Sequence, residues 1–315
     1  MSLLSSIYGA GVAARNALYR RGTFPQRRLA GRVVSIGNLS VGGSGKTPFA
    51  MLLGDLLKKR EISFDILSRG YGRRTRGVAL VDPGGSSQDF GDEPLLLARR
   101  LGVPVIVGED RFAAGQFAEK EFGAQLHLLD DGFQHRALAR DFDIVLVTAE
   151  DSRDRLLPAG RLREPISSLS RADVVVLTSG ASADMFPASE KLVWRVRRGI
   201  VPPPNLPARP VVFCGIARPK NFVLQLRTAG IEPAAEAFYR DHHSYTEQDV
   251  RDLLALHQKS ESDGFVTTEK DAINLGGFLS ALPNLAVIPV KMELVDRDNA
   301  VDTMLRVIEE RRRKA

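Results

Sequence analysis

The eight residues Ser40-Val41-Gly42-Gly43-Ser44-Gly45-Lys46-Thr47 decide how the first part of the chain folds. They lie between an apolar run that ends near Ile36 and a helical segment whose first turn can accommodate Pro48. A glycine-rich loop that joins a strand to a helix and ends in Lys-Thr is typical of a phosphate-binding loop. Ser40 departs from the usual pattern, which has glycine there. The stretch predicts an α/β fold that binds a nucleoside triphosphate.

The residue types of this loop each have a chemical use. Its glycines let backbone N–H groups approach phosphate oxygens, and the start of the following helix adds a positive dipole end. Lys46 can reach the β- and γ-phosphates of ATP, and Thr47 can hold Mg²⁺. An ordinary glycine-rich turn is the alternative. The predicted nucleotide-binding residues are Ser40, Val41, Gly42, Gly43, Ser44, Gly45, Lys46 and Thr47.

Composition limits the class of protein. With 315 residues, 43% hydrophobic and 26% charged, the chain is long enough for two α/β domains, and disordered and collagen-like classes are excluded. The single cysteine, Cys214, excludes an intramolecular disulfide and a thiolate cage for zinc, so we expect the cytoplasm. The net charge of +6 favours anionic partners, which include nucleotides, lipid head groups and nucleic acid.

The order of the predicted elements indicates two α/β units. Short β-branched runs alternate with helical stretches from residue 32 onward, as in a mostly parallel sheet. A proline-rich stretch separates the earlier predicted strands from the last four. The final predicted strand is Leu285 to Val290. We predict a basic segment over residues 1–32, a P-loop domain over 33–183, a linker over 184–210, and a smaller α/β domain with a return strand and a C-terminal helix over 211–315.

The first 54 residues contain no Asp or Glu but seven Lys or Arg. Apolar residues from Leu3 to Tyr19 approximate a helical stripe, and no apolar run approaches the roughly 18 to 20 residues that span a bilayer. We therefore expect an in-plane amphipathic helix on an anionic membrane surface. A helix packed on the protein's own core and a transit peptide are the alternatives.

Two adjacent carboxylates follow the apolar run Leu126 to Leu129. A P-loop requires an acidic group for its metal, usually at the end of a neighbouring strand, and Asp130 and Asp131 have that position. The two carboxylates can also cap a turn. The continuation contains Gln134 and His135, which are too polar for a turn alone and become candidate site residues.

A further carboxylate, Asp92, precedes an apolar helix in Gly91-Asp92-Glu93-Pro94. Helix capping would explain it, and so would a role as the base that accepts the proton of an alcohol. His242 and His243 precede another helix and can project over a site. Arg69 and three further arginines up to Arg76 suit phosphate contact or a solvated loop.

The motifs together resemble those of the tetraacyldisaccharide 4'-kinase family. The resemblance rests on the P-loop with its leading Ile36-Gly37-Asn38-Leu39, on Leu67-Ser68-Arg69-Gly70-Tyr71-Gly72, and on the turn at residues 91–94. It continues through Gly108-Glu109-Asp110-Arg111, the run Asp130 to Arg136, Leu156 to Pro165, Asp241 to Tyr245 and Thr268-Glu269-Lys270-Asp271, in the same order. It therefore runs from the basic N-terminus nearly to the end of the chain.

The resemblance implies transfer of the γ-phosphoryl group of ATP to the 4'-hydroxyl of an acylated glucosamine disaccharide 1-phosphate, at the cytoplasmic face of the inner membrane. It implies a P-loop α/β/α domain joined by a two-stranded linker to a smaller α/β/α domain. Asp92 is then the base and His242 its partner, with Lys46 on the nucleotide. Metal-site or phosphate-site residues would be Thr47, Asp130, Asp131 and Glu164, and Arg69, Arg111, Gln134, His135 and Arg163 would contact the substrate.

Two other functions remain open on the sequence. One is a P-loop kinase with a soluble substrate, which lipid binding by the first 30 residues would distinguish. The other is a nucleotide switch or nucleic-acid-binding module, although no recognition-helix or aromatic platform signature is present. We infer ATP and Mg²⁺ as cofactors and neither nucleic acid nor a stable protein partner. The order of Thr268-Glu269-Lys270-Asp271 differs from the guanine-reading motif of GTPases, so GTP is not inferred.

Overall fold

A computed structural model describes residues 3–178, 180–187, 191–295 and 297–314. Parts of the predicted N-terminal segment, P-loop domain, linker and smaller domain (residues 1, 2, 179, 188–190, 296 and 315) lie outside the described residues. The helices are α1 Leu3–Arg20, α2 Lys46–Lys58, α3 Ser87–Phe90, α4 Asp92–Leu101, α5 Arg111–Phe122, α6 Pro219–Thr228, α7 Glu247–Lys259, α8 Glu269–Leu275 and α9 Arg297–Lys314.

The strands fall into two sheets that follow the predicted alternation. Nine have the order β13-β8-β7-β6-β1-β5-β2-β4-β3, with only the two edge strands antiparallel, and four have the all-parallel order β10-β9-β11-β12. They are β1 Arg32–Asn38, β2 Asp65–Ser68, β3 Ala79–Leu80, β4 Val105–Val107, β5 Leu126–Asp130, β6 Phe142–Thr148, β7 Val174–Thr178, β8 Leu192–Ile200, β9 Val211–Cys214, β10 Ala235–Phe238, β11 Phe265–Thr268, β12 Leu285–Ile288 and β13 Val290–Leu294.

The predicted α/β class, with a large mostly parallel sheet and a second smaller one, is confirmed. Strands β5, β6 and β7 are buried along their whole length, which explains their continuous apolar runs, because helices cover both faces of a parallel sheet. One predicted strand is corrected. Leu285 to Val290 is two strands in different sheets, since Pro289 separates them and has no N–H to donate to a ladder.

The chain crosses between the two units twice, through β8 and β13. These strands pair antiparallel, from Val290 with Ile200 to Leu294 with Val196, and β8 also pairs with β7 of the large sheet. Helix α9 then packs on the large unit, where Val301, Met304 and Ile308 join its main apolar core. The predicted domain boundaries stay a prediction. Helix α9, the last helix in the chain, packs on the first unit and not on the second.

Helix α1 lies on the large unit through one polar face. Tyr8 Oη donates to the Arg163 carbonyl at 3.0 Å, and Ser5 Oγ donates to the Leu156 carbonyl at 3.1 Å. Leu3, Leu4 and Ile7 on its other side are 77%, 62% and 61% exposed. Within the described ranges, no helix is both long enough and apolar enough to cross a membrane.

Candidate active site

The principal cavity lies where the two units face each other, at the carboxyl ends of the large-sheet strands. Its volume is about 840 Å³, and its wall includes the P-loop, the start of α4 and the start of α8. Ile36 of β1 pairs with Asp130 of β5, so the loop after β1 begins beside the carboxylates after β5. Ligands of open α/β sheets bind at such positions, where the order of the strands reverses.

The P-loop has the backbone that an anion requires. Gly42 and Gly45 have φ values of 95° and 89°, which a residue with a side chain rarely adopts. Among the described residues no side chain caps the start of α2, so its first N–H groups stay available to a phosphate. Lys46 Nζ donates to Asn38 Oδ1 at 3.0 Å and lies 3.5 Å from Asp131 Oδ1. The loop therefore combines free donors with a fixed cation.

The two adjacent carboxylates have opposite environments. Asp131 accepts from both terminal nitrogens of Arg163 at 2.9 and 2.8 Å. Burial raises the pKa of Asp131, but Lys46 and Arg163 outweigh it and hold the pKa well below its usual range. Burial, with the charges of Glu93 and Asp131, raises the pKa of Asp130 to about 7.

Asp130 lines the cavity with an unused acceptor. Its Oδ2 accepts from Ser68 Oγ at 3.1 Å, while its buried Oδ1 has no partner among the described residues. Buried acceptors are normally paired, and hard cations such as Mg²⁺ prefer carboxylate and hydroxyl oxygens. Thr47 lines the same cavity. The oxygens of these two side chains therefore fit a divalent cation beside the P-loop.

No cluster of three or more His, Cys, Asp or Glu side chains that could hold a metal by itself occurs in the parts of the chain that the structure describes. A P-loop metal site needs no such cluster, because phosphate oxygens and water complete the shell around one hydroxyl and one carboxylate. The cavity thus fits a cation that arrives with a nucleotide.

Asp92 faces this cavity from the first turn of α4. Gly91 before it has φ 89°, and a Cβ there would lie 2.9 Å from the Tyr71 carbonyl oxygen, so the turn requires glycine. Asp92 is the first residue of α4 and Gly91 is its N-cap, so the Asp92 carboxylate accepts from the Glu93 N–H at 2.9 Å but does not cap the helix as an N-cap side chain would. Both oxygens also lie at 2.8 and 3.0 Å from His242 Nδ1, and Asn274 Nδ2 donates at 3.2 Å.

Lys270 also belongs to the cluster around Asp92. Its Nζ lies 3.2 Å from His242 Nε2, 2.9 Å from Asp241 Oδ1 and 3.7 Å from Asp92 Oδ2. An ammonium group can only donate, so Nε2 must accept and the ring proton must sit on Nδ1, where it points at Asp92. The geometry is therefore that of a neutral His242, which donates its one N–H to Asp92.

The charges of the cluster keep Asp92 ionised. Burial raises the pKa of Asp92, but the hydrogen bond from His242 and the charge of Lys270 bring it below the ordinary value. Burial lowers the pKa of His242, and Asp92 raises it by more, so the net shift is upward. Below that pKa the ring gains a proton on Nε2, and the Lys270 contact becomes repulsive.

The structure separates the predicted substrate residues into two groups. Arg69 and Arg163 line the main cavity. Gln134, which donates to the Asn38 carbonyl at 3.0 Å, His135 and Arg111 lie outside its lining. Burial, followed by the charges of Arg111 and Arg140, lowers the pKa of His135 to about 4, so its ring is neutral at pH 7.

Glu164 is not brought to the cavity, and its predicted place in the metal site needs correction. The side chain is fully buried, and its oxygens accept from Arg171 at 2.8 and 3.2 Å, from Asn16 at 2.9 Å and from Arg15 at 3.3 Å. These partners fix α1 to the large unit, so we leave Glu164 out of the metal-binding set.

Comparison with known proteins matches residues 1–309 to the family model of tetraacyldisaccharide-1-P 4'-kinase, LpxK. A tetraacyldisaccharide 4'-kinase of Koribacter versatilis (strain Ellin345) is 50% identical, with 99% of both chains covered. The chain belongs to the tetraacyldisaccharide 4'-kinase family. The predicted resemblance is thereby confirmed over the whole chain.

Other members of the family agree in sequence and in structure. The tetraacyldisaccharide 4'-kinase of Chlorobaculum parvum (strain DSM 263 / NCIMB 8327) is 40% identical, with 85% of this chain and 81% of the relative covered. The crystal structure described as the "apo" form of LpxK from Aquifex aeolicus in complex with ATP superposes with a TM-score of 0.81. It shares 34% identity and covers 97% of each chain.

Sequence reasoning missed several side chains in this 4'-kinase site. Lys270 lies in the motif Thr268-Glu269-Lys270-Asp271, from which the sequence predicts no site residue. Asn274 lies one helical turn beyond Lys270 on α8. Asn38 holds both Lys46 and Arg163, and its signal was a polar residue at the end of a buried strand. Position at the carboxyl end of a parallel strand could have identified Asn38 and Lys270, because such ends meet at one edge.

Proposed function

We propose that the chain transfers the γ-phosphoryl group of ATP to the 4'-hydroxyl of tetraacyldisaccharide 1-phosphate, a step of lipid A biosynthesis. One observation carries the proposal: a buried, ionised Asp92, held by His242, faces a P-loop across a single cavity. Membership of the family supports the identity of the acceptor, because its members are named for it, and the Aquifex aeolicus structure in complex with ATP supports the donor.

On the nucleotide side, residues 40–47 would bind the phosphates of ATP, with Lys46 against the γ-phosphoryl group. Thr47 and Asp130 would hold Mg²⁺, supported by the unpartnered Oδ1 of Asp130 beside the loop. When bound, Mg²⁺ supplies positive charge to the phosphate oxygens. Asp131 would instead position Lys46 and Arg163, which already share its carboxylate.

In the transfer itself, the 4'-oxygen forms a bond to the γ-phosphorus while the bond from that phosphorus to the β–γ bridging oxygen breaks. ADP leaves with the bridging oxygen. Asp92 accepts the proton of the hydroxyl, and His242 holds the carboxylate in position through its Nδ1–H. Asp92 is ready for this step because its lowered pKa keeps it deprotonated near neutral pH.

On the acceptor side, Arg69, Arg111, Gln134 and His135 would contact the disaccharide, beyond the cluster around Asp92. The acceptor is a lipid, so the enzyme must work at a membrane. Helix α1 would lie in the cytoplasmic face of the inner membrane as a peripheral anchor, supported by its exposed leucines and acid-free basic sequence.

The test is transfer of labelled γ-phosphoryl from ATP to tetraacyldisaccharide 1-phosphate in detergent micelles. Wild type should label the acceptor at the 4'-position. Lys46→Ala should lose at least about 100-fold in turnover, because preorganised positive charge on the transferring group is usually the largest catalytic effect. Lys58→Ala, on the same helix, is the matched control. Labelling that survives in folded Lys46→Ala would refute the role of the loop.

A further inference from the structure

Arg136 is a buried cation without a carboxylate partner. The residue is 8% exposed, and no carboxylate of the described residues lies within 4.0 Å of its guanidinium. Its Nη1 donates to the carbonyl and the side-chain oxygen of Asn16 at 3.1 and 3.2 Å. Its Nε has no partner within the described part of the chain. Buried charges are normally paired, so this guanidinium lacks a counterion.

The surroundings of Arg136 increase this excess of positive charge. Arg20 and Arg171 line the same cavity as Arg136, and Arg171 shares the Glu164 carboxylate with Arg15. No carboxylate lines this cavity among the residues that the structure describes. Burial, then the charges of Arg171 and Arg140, lowers the pKa of Arg136 to about 10, so it remains charged at neutral pH.

This cavity, of about 190 Å³, opens beside the guanidinium. Asn16 and Arg20 line it from α1, one helical turn apart, and Arg171 lines it from the opposite wall. The hydroxyl-bearing residues Ser167, Ser168 and Ser170 complete that wall. Arg171 is already bound to Glu164, and Arg136 Nη1 to Asn16. The Nε atoms of both arginines, however, have no partner among the described residues, and Arg20 is exposed. Guanidinium groups and hydroxyls that can donate into one small space suit a phosphate group.

We propose that this cavity binds a phosphate group carried by a lipid. The cavity lies near the C-terminal end of α1, on the side that packs on the large unit, whereas Leu3, Leu4 and Ile7 lie on the other side near the start of the helix. When α1 lies along a membrane surface through those side chains, the exposed Arg20 lies at the same surface, where lipid head groups can reach the cavity. Two sources share this chemistry, an anionic phospholipid and the acceptor's own 1-phosphate. The second source rests on the proposed function, whereas the first does not.

The first arm of the test uses full-length protein and vesicles of phosphatidylcholine with phosphatidic acid as the minor component. Arg20→Gln and Arg136→Gln should each reduce vesicle binding by about tenfold or more. Arg21→Gln is the matched control, since it removes an exposed arginine next to Arg20 that does not line the cavity. Loss of one surface charge alone is worth about 1 kcal/mol, or about fivefold.

A second set of vesicles has the same surface charge, but oleate supplies it in place of phosphatidic acid. These vesicles distinguish a phosphate-binding site from a basic surface that binds any anionic membrane. On oleate vesicles all three variants should lose binding equally, because no phosphate can enter the cavity. Arg20→Gln is informative even if Arg136→Gln does not fold, because Arg20 is exposed.

The second arm measures phosphorylation of the disaccharide with and without its 1-phosphate. If the cavity holds that group, Arg20→Gln raises KM for the 1-phosphate acceptor about tenfold, leaves kcat unchanged, and leaves KM for the dephosphorylated acceptor unchanged. A change in the first arm alone assigns the site to phospholipid, and a change in the second alone assigns it to the acceptor. Variants that bind like Arg21→Gln and keep wild-type KM overturn the proposal. If no phosphorylation occurs at all, the first arm still decides.

Discussion

At the scale of the residue, the environment of Asp92 distinguishes a role as helix cap from a role as base. Its one contact at the start of α4 is with the N–H of the next residue, Gly91 holds the N-cap position, and its remaining acceptor capacity is directed at His242, Lys270 and Asn274 of the second unit. A cap alone would need none of these partners. The carboxylate therefore has the charge stabilisation that a general base requires, together with a fixed orientation.

The pair Asp92 and His242 should behave as one catalytic unit. Asp92→Ala should reduce turnover by about 10² to 10⁴, the usual contribution of a general base, with little change in affinity for ATP. Adding His242→Ala should then cost much less than it costs alone, because residues that act together are non-additive. Turnover per folded molecule of the four proteins measures this. Fully additive losses would separate the two roles.

A capping role gives a different pattern for Asp92→Ala. Stability would fall by about 0.5 to 2 kcal/mol while the folded fraction kept its turnover. Denaturation curves collected alongside the kinetics distinguish the two outcomes.

Lys270 should act as a positioning residue for His242. In the wild type, the charge of Lys270 lowers the pKa of both Asp92 and His242. Both pKa values should therefore rise in Lys270→Met. The acid limb of the rate profile therefore moves to higher pH, and turnover falls by about tenfold, part of the effect of a general base. Nitrogen NMR of the His242 ring should show loss of the strict Nδ1–H tautomer.

Lys259→Met, an exposed lysine of the same unit, is the control for Lys270→Met. A merely structural role would lower stability without moving the pH profile. An unchanged tautomer and an unchanged acid limb in the folded variant would exclude the positioning role.

At the scale of the element, α1 shows how a helix can serve two surfaces. Ser5, Tyr8 and Asn16 fix one face to the loop around Arg163 and Glu164. Leu3, Leu4 and Ile7 remain on the other side. The helix is therefore neither a purely internal helix nor a free tail, and its inner face contacts the backbone of Arg163, which lines the main cavity.

The exposed face of α1 should carry membrane binding. The double variant Leu4→Asp with Ile7→Asp removes the transfer free energy of two apolar side chains into the membrane, roughly 3 to 6 kcal/mol when both insert fully. The two new carboxylates are also repelled by anionic lipid. Vesicle binding should fall by at least about 100-fold, while activity on dispersed acceptor in detergent falls less. The measurement is cosedimentation with anionic vesicles at low and high salt.

Leu224→Asp is the matched control, because Leu224 is equally exposed, at 63%, but lies on α6 of the smaller unit. If both proteins lose vesicle binding alike, or if neither does, α1 is not the anchor.

At the scale of the whole molecule, the site exists only because the two units meet. The P-loop and Asp92 come from the large unit, and His242, Lys270 and Asn274 come from the smaller one. Strands β8 and β13 join the units by a two-stranded connection, and α9 returns to the large unit. Contacts such as Arg100 with Glu269 at 3.2 Å add to the same interface.

The interface should therefore depend on pH through Asp92 and His242. The lowered pKa of Asp92 gives stability that is present above about pH 4 and lost as pH falls through the folded value. The raised pKa of His242 gives stability that is present below about pH 6.5 and lost as pH rises through the folded value. The stability difference between wild type and His242→Gln should be greatest between those limits.

Urea denaturation of both proteins at pH 5.5 and at pH 9 tests this. We expect a difference of about 1 to 3 kcal/mol at pH 5.5, typical of a hydrogen bond to a charged group, and a smaller one at pH 9. Replacing His257, a half-buried histidine away from the interface, is the control for the loss of a histidine elsewhere in the protein. An equal difference at both pH values would show that the pair does not contribute through its charge.

The sequence by itself determined the parts of this protein that depend on local chemistry. Alternation of apolar runs with helical stretches predicts the α/β class, and the spacing of glycines before Lys46 and Thr47 predicts the phosphate loop, because both follow from short-range backbone rules. The positions of Asp92, Asp130 and His242 at strand or helix ends identified them as candidates. The order of the motifs also identified the family.

Only the tertiary structure decided which of these side chains meet. Asp92 and Lys270 are far apart in the chain, and sheet order and the crossing of β8 and β13 bring them to 3.7 Å. Glu164 has the same chemistry as Asp130, yet α1 folds over it and occupies both of its oxygens. Contacts between residues so distant in the chain depend on how whole helices and strands pack. Residue type and local spacing alone therefore do not predict them.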